Sequence, residues 1–482
     1  MSAAERQSCN TTMKKSSQKD VFGTKKRKSP IKFGMELLQL MVFTFIVGSA
    51  AFAQTDPPYV QWQYTGEAQL GDPAGEDWIF DVIKTTDGGF LSAGFSDNVA
   101  GVHLPSYVKV DGNGNYLWDQ IVSMGLNYHE GNFQVVKELD NGHFVLFGNK
   151  QKTINTTPPI DVDYLILHEI DASGNAISGF PKLFLPNIAD ADMAFGFSLQ
   201  LEKNSQGVVI GYTVIGLYKE RIQTVPVVVY GPEKGFIMEI DKNGTETGFG
   251  SKIMIDPTAV ASEIRNHKNT YDEYGVHNGY ILCGDVTDAN NPERDVYLTK
   301  LDLNGNKAWE KRFTKAQLVI SGMYVDKFDY FNGTKELETG EDSYYTACDS
   351  TLPYGYVNDN ERGFDVVQAP DGNIIVNTYF DYYNCSASGV PQFKNGIFNG
   401  EYLATNAVII KVDQTNGNAT SAENYRYFAG IDYFSRMKIL ENPVTPTDYK
   451  IVVIGNNPHL DENGIPIRMM GELLMLDNTG TR

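Results

Sequence analysis

Four-residue runs of Asp, a polar or apolar residue, Asn and Gly are the first places where this chain could do chemistry. Asp302-Leu303-Asn304-Gly305 and Asp461-Glu462-Asn463-Gly464 place a carboxylate and an amide oxygen within one turn. That is the start of a calcium loop, but a calcium loop puts its glycine at the sixth position and adds a bidentate glutamate further on. The spacing fits a different chemistry. An Asp side chain can bond the backbone two residues on, and Gly takes the left-handed angle that closes the turn. Calcium stays a candidate only through acidic side chains brought together from separate loops. Linear catalytic motifs are absent: there is no Gly-x-Ser-x-Gly, His-Glu-x-x-His, Cys-x-x-Cys or phosphate-cradling glycine loop. The seven histidines (His103, His129, His143, His168, His267, His277 and His459) are scattered, and none pairs with another at ligand spacing. His129-Glu130 is expected on a connection between repeats, with the imidazole hydrogen-bonded or solvated.

Aromatic and acidic residues concentrate in two segments, 313–363 and 380–405. Tyr344, Tyr345, Tyr354, Tyr356, Tyr382 and Tyr383 are the candidate ligand contacts, with Asp342, Asp349, Asp359 and Asp381 among them. A tyrosine offers a flat apolar face and a hydroxyl, which suits sugar rings and protein surfaces alike. The competing reading is that these rings pack a small core of the insertion itself. Cys348 and Cys385 fall in the same two segments and are the natural disulfide pair, with free thiols as the alternative. Cys283, in Tyr-Ile-Leu-Cys-Gly-Asp-Val, reads as a packed thiol in a buried strand.

The elements that must display these segments repeat. One motif runs apolar-Lys/Glu-apolar-Asp and then a Gly/Asn turn. It occurs at Tyr107–Trp118, His168–Ile177, Met238–Thr247, Thr299–Trp309 and Ile410–Thr420, and incompletely at Leu474–Arg482. A second motif precedes each copy: alternating apolar residues, a turn and an apolar strand ending at Gly94, Gly148, Gly211, Gly284, Asn377 and Gly455. Each motif reads as a hairpin, because Asp-Gly and Asn-Gly between alternating apolar runs specify tight turns. Two hairpins per repeat give four antiparallel strands, and the repeat spacings of 54 to 93 residues suit a propeller blade. The expected fold is therefore an all-β propeller of six four-stranded blades.

An Asn-Gly turn near residue 332 leaves a seventh, degenerate blade open. Ring closure is assigned to the strand 59–66, in which Trp62 resembles Trp118 and Trp309; a chain cut short after Arg482 is the other reading. The short turns fall on one rim. The other rim carries the long connections, expected near 214–234, 250–272, 313–363 and 380–405, and is the functional candidate.

The composition fits an exported protein. Residues 1–53 hold nine basic and three acidic residues, then an apolar run ending Ala51-Phe52-Ala53. Basic flank, short apolar core and small-x-small site make a signal peptide, shorter than the roughly 20 residues a membrane span needs. The mature propeller would be 54–482, free of transmembrane segments, secreted or held in the periplasm or at the cell surface. The formal charge is −20 for the chain and becomes −26 once those nine bases and three acids leave. Such a surface repels nucleic acid.

The motifs Asp-Gly-Gly-Phe-Leu-Ser-Ala-Gly-Phe-Ser (87–96) and Tyr107–Trp118 resemble the repeat of secreted propeller proteins of the Bacteroidota. The likeness covers nearly all of 59–482. It implies the propeller fold and export, and it is poor for activity, because such propellers scaffold many functions. Three roles follow as expectations. The leading one is a non-enzymatic binding or adhesion module for a glycan or protein at the cell surface. The others are a polysaccharide-active enzyme with paired carboxylates on the long-connection face, and a structural module of the envelope.

Overall fold

The computed structural model describes residues 77–478 apart from 98–101, 126, 155–158, 190, 224–228, 255–258, 290–293, 315–316, 319–320, 327–360, 383–403, 426–432, 442–444, 446 and 461–465. Six antiparallel sheets stand in a ring as a six-bladed propeller. Blade 1 is β1 (Asp77–Lys84), β2 (Phe90–Asp97), β3 (His103–Val110) and β4 (Tyr116–Ile121). Blade 2 is β5 (Tyr128–Glu138), β6 (Phe144–Ile154), β7 (Ile160–Ile170) and β8 (Lys182–Phe184). Blade 3 is β9 (Ala191–Lys203), β10 (Val209–Gln223), β12 (Lys234–Asp241) and β13 (Glu246–Met254), with β11 (Val229–Tyr230) pairing the end of β10. Blade 4 is β14 (Ala259–Tyr271), β15 (His277–Asp288), β16 (Arg294–Leu301) and β17 (Lys307–Phe313).

In blade 5, β19 (Glu361–Gln368), β20 (Ile374–Tyr382), β21 (Ala404–Val412) and β22 (Ala419–Tyr425) are joined by β18 (Tyr324–Asp326), parallel to β22 at the outer edge. Blade 6 comprises β23 (Tyr433–Leu440), β24 (Lys450–Leu460) and β25 (Pro466–Asp477). The segment 59–66, expected to complete it, lies outside the described residues.

The core lies between blades. The larger apolar layers take side chains from two neighbours, for example Val145, Phe147 and Leu167 of blade 2 against Ala194, Tyr212 and Phe236 of blade 3. Cys283 sits fully buried between blades 4 and 5, as a free thiol.

Every inner strand carries one extra residue at the same place: Phe80, Gln134, Phe197, Arg265, Phe364 and Ser435. Such a bulge bends and twists the strand locally. The residue before it pairs across the hairpin with Gly94, Gly148, Gly216, Gly284, Thr378 and Gly455. Space explains the glycines. A Cβ on Gly94, Gly216 or Gly284 would come within 1.8 Å of the carbonyl oxygen of Trp78, Phe195 or Glu263. The equivalent positions in blades 3 and 5 are thus Gly216 and Thr378, not Gly211 and Asn377 as the sequence repeat aligns them. Blades 3 and 4 have inner hairpins two residues longer on the first strand and three on the second, which carries an extra residue at Ile210 and Asn278, and Gly211 corresponds to Gly279 there.

The Asp-x-x-Gly runs are turns, as the spacing predicts. Asp302 Oδ1 accepts the N–H groups of Asn304 and Asn306 at 2.9 and 2.8 Å, and Gly305 sits at φ +68°. These turns also join the blades. The turn glycine of each lies under an aromatic ring from the last strand of the blade before: Gly174 under Trp118, Gly244 under Phe184, Gly305 under Phe249 and Gly417 under Trp309. Two segments expected as long connections are mostly strand. Residues 214–223 continue β10, and 250–254 and 259–271 belong to β13 and β14. Gly216, the run Lys219-Glu220-Arg221 and the polar run Arg265–Lys268 interrupt the alternation there, which disguised the strands.

Candidate functional site

Two polar systems are built on the inner strands. The first circles the axis at the bulges. The residue after each extra one is Asp81, Val135, Ser198, Asn266, Asp365 and Arg436 in blades 1 to 6. Asp81 accepts the N–H of Val136 in blade 2 at 3.0 Å, and Asp365 accepts that of Met437 in blade 6 at 2.7 Å. Ser198 donates to Asn266 Oδ1 at 3.0 Å, and Asn266 donates to Asp365 Oδ1 at 2.7 Å. His267 lies beside this chain, between Ser198 and Thr213 at 3.1 and 3.2 Å. Burial pushes its pKa down to about 3, so the ring is neutral. These bonds knit neighbouring blades together; they are a structural girdle.

The second system lies on the face of the connections between second and third strands. Glu263, near the start of β14, pairs across the hairpin with Asp285 near the end of β15. Arg294, first residue of β16, donates from one nitrogen, Nη1, to Glu263 Oε2 at 2.9 Å and to Asp285 Oδ2 at 2.7 Å. Arg265, the extra residue of blade 4, donates to Glu263 Oε2 at 2.9 Å. Glu233, between β11 and β12, links the pair to blade 3, at 4.0 Å from Arg294 and 3.1 Å from Lys219. Asp285 is almost wholly buried. Burial raises its pKa, and the neighbouring Glu263 charge raises it further, against the pull of Arg265, Arg294 and Arg362.

Rings continue this network onto blade 5. The Arg265 guanidinium lies 5.1 Å from the centre of Phe364, Phe364 packs 4.8 Å from Tyr379, and Arg362 lies 5.7 Å from Tyr379. Arg265, Arg362, Phe364 and Tyr379 are half-buried, so part of each surface meets solvent. A planar cation stacked on a ring beside a fixed carboxylate pair offers flat apolar contact and oriented donors and acceptors.

On the same face blade 2 places His129 Nε2 at 2.5 Å from Thr153 Oγ1, which donates to Asp161 at 2.5 Å. His129 is thus hydrogen-bonded, as expected. Lys150, fully buried, donates to the His129 carbonyl, and burial lowers its pKa to about 8. Burial raises Asp163 to about 6.

Of the residues singled out from sequence, Tyr382 is the last residue of β20. Tyr344, Tyr345, Tyr354, Tyr356, Tyr383, Cys348 and Cys385 lie outside the described residues. The connections that hold them leave and re-enter blade 5 on the face of the Glu263–Asp285 network. Sequence reasoning missed that network. Its carboxylates and arginines come from different strands and blades, and only the charge of Glu263, Arg265, Asp285 and Arg294 at the outer ends of apolar strands hinted at it. Among the described residues no group of three or more His, Cys, Asp and Glu could hold a metal ion, and no helix is long and apolar enough to cross a membrane.

No family model matches the chain, and no curated protein matches it. Solved structures align over most of its length at low similarity. A protein of unknown function from Dyadobacter fermentans shares 9% identity at a TM-score of 0.38, covering 82% of this chain and 93% of its own. A GH93 α-L-arabinofuranosidase of Fusarium graminearum shares 10% identity at a TM-score of 0.39, covering 84% and 94%. An α-L-arabinanase of Penicillium chrysogenum shares 9% at a TM-score of 0.28, covering 72% and 93%. Likenesses this slight carry no argument about activity.

Proposed function

We propose that the protein is an extracellular binding propeller, exported by residues 1–53, that holds a carbohydrate ligand on the face bearing Glu263, Asp285 and the blade 5 insertions. The observation that carries this reading is Arg265 over Phe364 and Arg362 over Tyr379, two rings in contact, beside two carboxylates already fixed by Arg294. Aromatic faces suit the apolar faces of sugar rings, and fixed guanidinium and carboxylate groups suit their hydroxyls. The tyrosine-rich segments 327–360 and 383–403 join strands of blade 5 whose ends lie on this face.

A second reading is favoured by one observation. Asp285 holds its proton above the usual carboxylate range next to Glu263, which is how a general acid is paired with a second carboxylate in glycoside hydrolysis. The shared bonds to Arg294 oppose it, because they commit both side chains as acceptors. A glycan array probed with the full chain, with calcium and with chelator, tests the binding reading. Retention of a glycan that Arg265→Ala and Tyr379→Ala both weaken is the expected result. Release of reducing sugar that Asp285→Asn abolishes would replace binding by hydrolysis. Failure to retain any glycan, with a protein partner captured on the same face, would replace the carbohydrate by a protein ligand.

A further inference from the structure

Arg265 and Arg362 are supported alike and used differently. Each guanidinium lies over a ring of blade 5, Arg265 at 5.1 Å from the centre of Phe364 and Arg362 at 5.7 Å from that of Tyr379, and the two ring centres are 4.8 Å apart. A guanidinium held over a ring still has its planar fork of N–H groups to offer a carboxylate. Arg265 uses that fork: it donates to Glu263 at 2.9 Å and lies 3.6 Å from Asp285. Arg362 does not. Among the described residues its side chain makes no hydrogen bond and no ion pair, and its Nε–H is buried without an acceptor.

The carboxylates described around Arg362 are committed elsewhere. Glu263 and Asp285 both accept from Arg294, at 2.9 and 2.7 Å, and Arg265 shares them. Glu233 pairs with Lys219 at 3.1 Å. Glu361 precedes Arg362 on β19, and strand alternation turns its side chain to the opposite face of the sheet. Three guanidiniums thus meet two carboxylates. The four arginines of blades 3 and 4 each have a carboxylate of their own or shared: Arg221 bonds Asp192, Arg312 bonds Asp288 and Asp295, and Arg265 and Arg294 hold the Glu263–Asp285 pair. Arg362 is the exception beside them, although the chain as a whole carries a formal charge of −20. A half-buried cation without a counter-charge is costly, and an incoming anion offsets that cost.

We propose that the ligand of this face supplies the missing carboxylate to Arg362, so that the carbohydrate bound there is an acidic one, containing a uronate sugar. This rests on the carbohydrate reading above and narrows it. The planar carboxylate of a uronate matches the fork of Arg362 as Glu263 matches Arg265, with two parallel N–H bonds available to it. A neutral sugar offers hydroxyls alone and leaves the charge uncompensated.

The test is calorimetric titration of the full chain with short oligouronides of galacturonate, glucuronate and mannuronate type. Each is run beside its carboxyl-reduced neutral form and beside a sulfated neutral oligosaccharide. The best oligouronide is expected to bind about tenfold or more tightly than its reduced form, as one charge-assisted contact would give. Arg362→Gln should erase that preference. Arg362→Lys should keep part of it, because a point charge replaces the fork. Lys203→Ala, whose lysine pairs with Asp140 at 2.8 Å, should keep all of it. Equal binding of the acid and reduced forms, or a preference unchanged in Arg362→Gln, would overturn the acidic ligand and leave a carbohydrate ligand standing. Tighter binding of the sulfated sugar than of every oligouronide would overturn it in favour of sulfate. Binding of no oligouronide would overturn it as well, and retention of a neutral glycan on the array would then show that the carbohydrate reading survives alone. Circular dichroism of each variant separates loss of the contact from loss of the fold.

Discussion

The indole of Trp309 in blade 4 donates its Nε1–H to the carbonyl of Gln414 in blade 5 at 2.9 Å, and its ring covers Gly417 of the same turn. A Cβ on Gly417 would stand 2.6 Å from the Trp309 ring, and its φ is +73°. Gly142 has a similar angle, +77°, and open space around it. Gly142→Ala should therefore cost only the left-handed strain, about 1–2 kcal/mol. Gly417→Ala should cost that plus displacement of the indole, about 2–4 kcal/mol in all. Urea unfolding of the two variants makes the comparison, and equal losses would show that the ring gives way freely.

The same contact recurs between blades 1 and 2, 2 and 3, and 3 and 4; the closing strand 59–66 expected from sequence would give Trp62 the same role. Trp62→Ala should then lower the melting temperature much as Trp118→Ala does, by about 3–5 kcal/mol of stability for a large ring. A Trp62→Ala chain that melts with the wild type would leave the strand 59–66 without a role in closure.

Arg294 bonds Glu263 and Asp285 through one nitrogen at 2.9 and 2.7 Å, whereas Arg265 reaches the same pair less closely, at 2.9 and 3.6 Å. Arg294→Met leaves two largely buried carboxylates facing each other and should destabilise by about 3–5 kcal/mol near neutral pH. Because the damage is charge repulsion, Asp285→Asn in the same chain should restore part of it. Equilibrium unfolding of the single and double variants decides; no rescue would mean that Arg294 acts through packing.

Acid should weaken the fold before the carboxylates titrate. His267 and His168 are buried, with pKa values near 3 and 4, so the unfolded chain takes up their protons from about pH 6.5 downward while the folded chain does not. Stability is fully present above that pH and declines as pH falls toward 4. Asp163 acts oppositely, since burial holds its folded pKa near 6 and it keeps its proton longer in the folded state. His277 adds to the two histidines, and Glu202 and Asp285, also raised by burial, add to Asp163, so the histidine share is the difference between the wild type and His267→Gln. Melting curves from pH 7 to 4 should show it, and His267→Gln should flatten the slope.

How much of this was legible beforehand follows from where information sits along the chain. The turns could be read because Asp302 and Gly305 act within four residues, and their repetition gave the blades. The glycine column was misaligned at Gly211, because blade 3 lengthens both strands of its inner hairpin and carries a second glycine, Gly211, nearer the turn than Gly216. The girdle and the Glu263–Asp285 network were invisible, since Asp81 finds its partner at Val136 and Asn266 finds Asp365. Nothing local distinguishes such a carboxylate from a solvated one.

The rings of Trp118, Phe184, Phe249 and Trp309 all point forward, each onto the turn of the blade that follows in sequence. During synthesis the newest finished blade thus presents one naked aromatic at its outer edge until its successor emerges. Assembly has a direction, and any fragment halted partway carries a sticky end whose position can be named in advance: a product stopping after Met254 would expose Phe249.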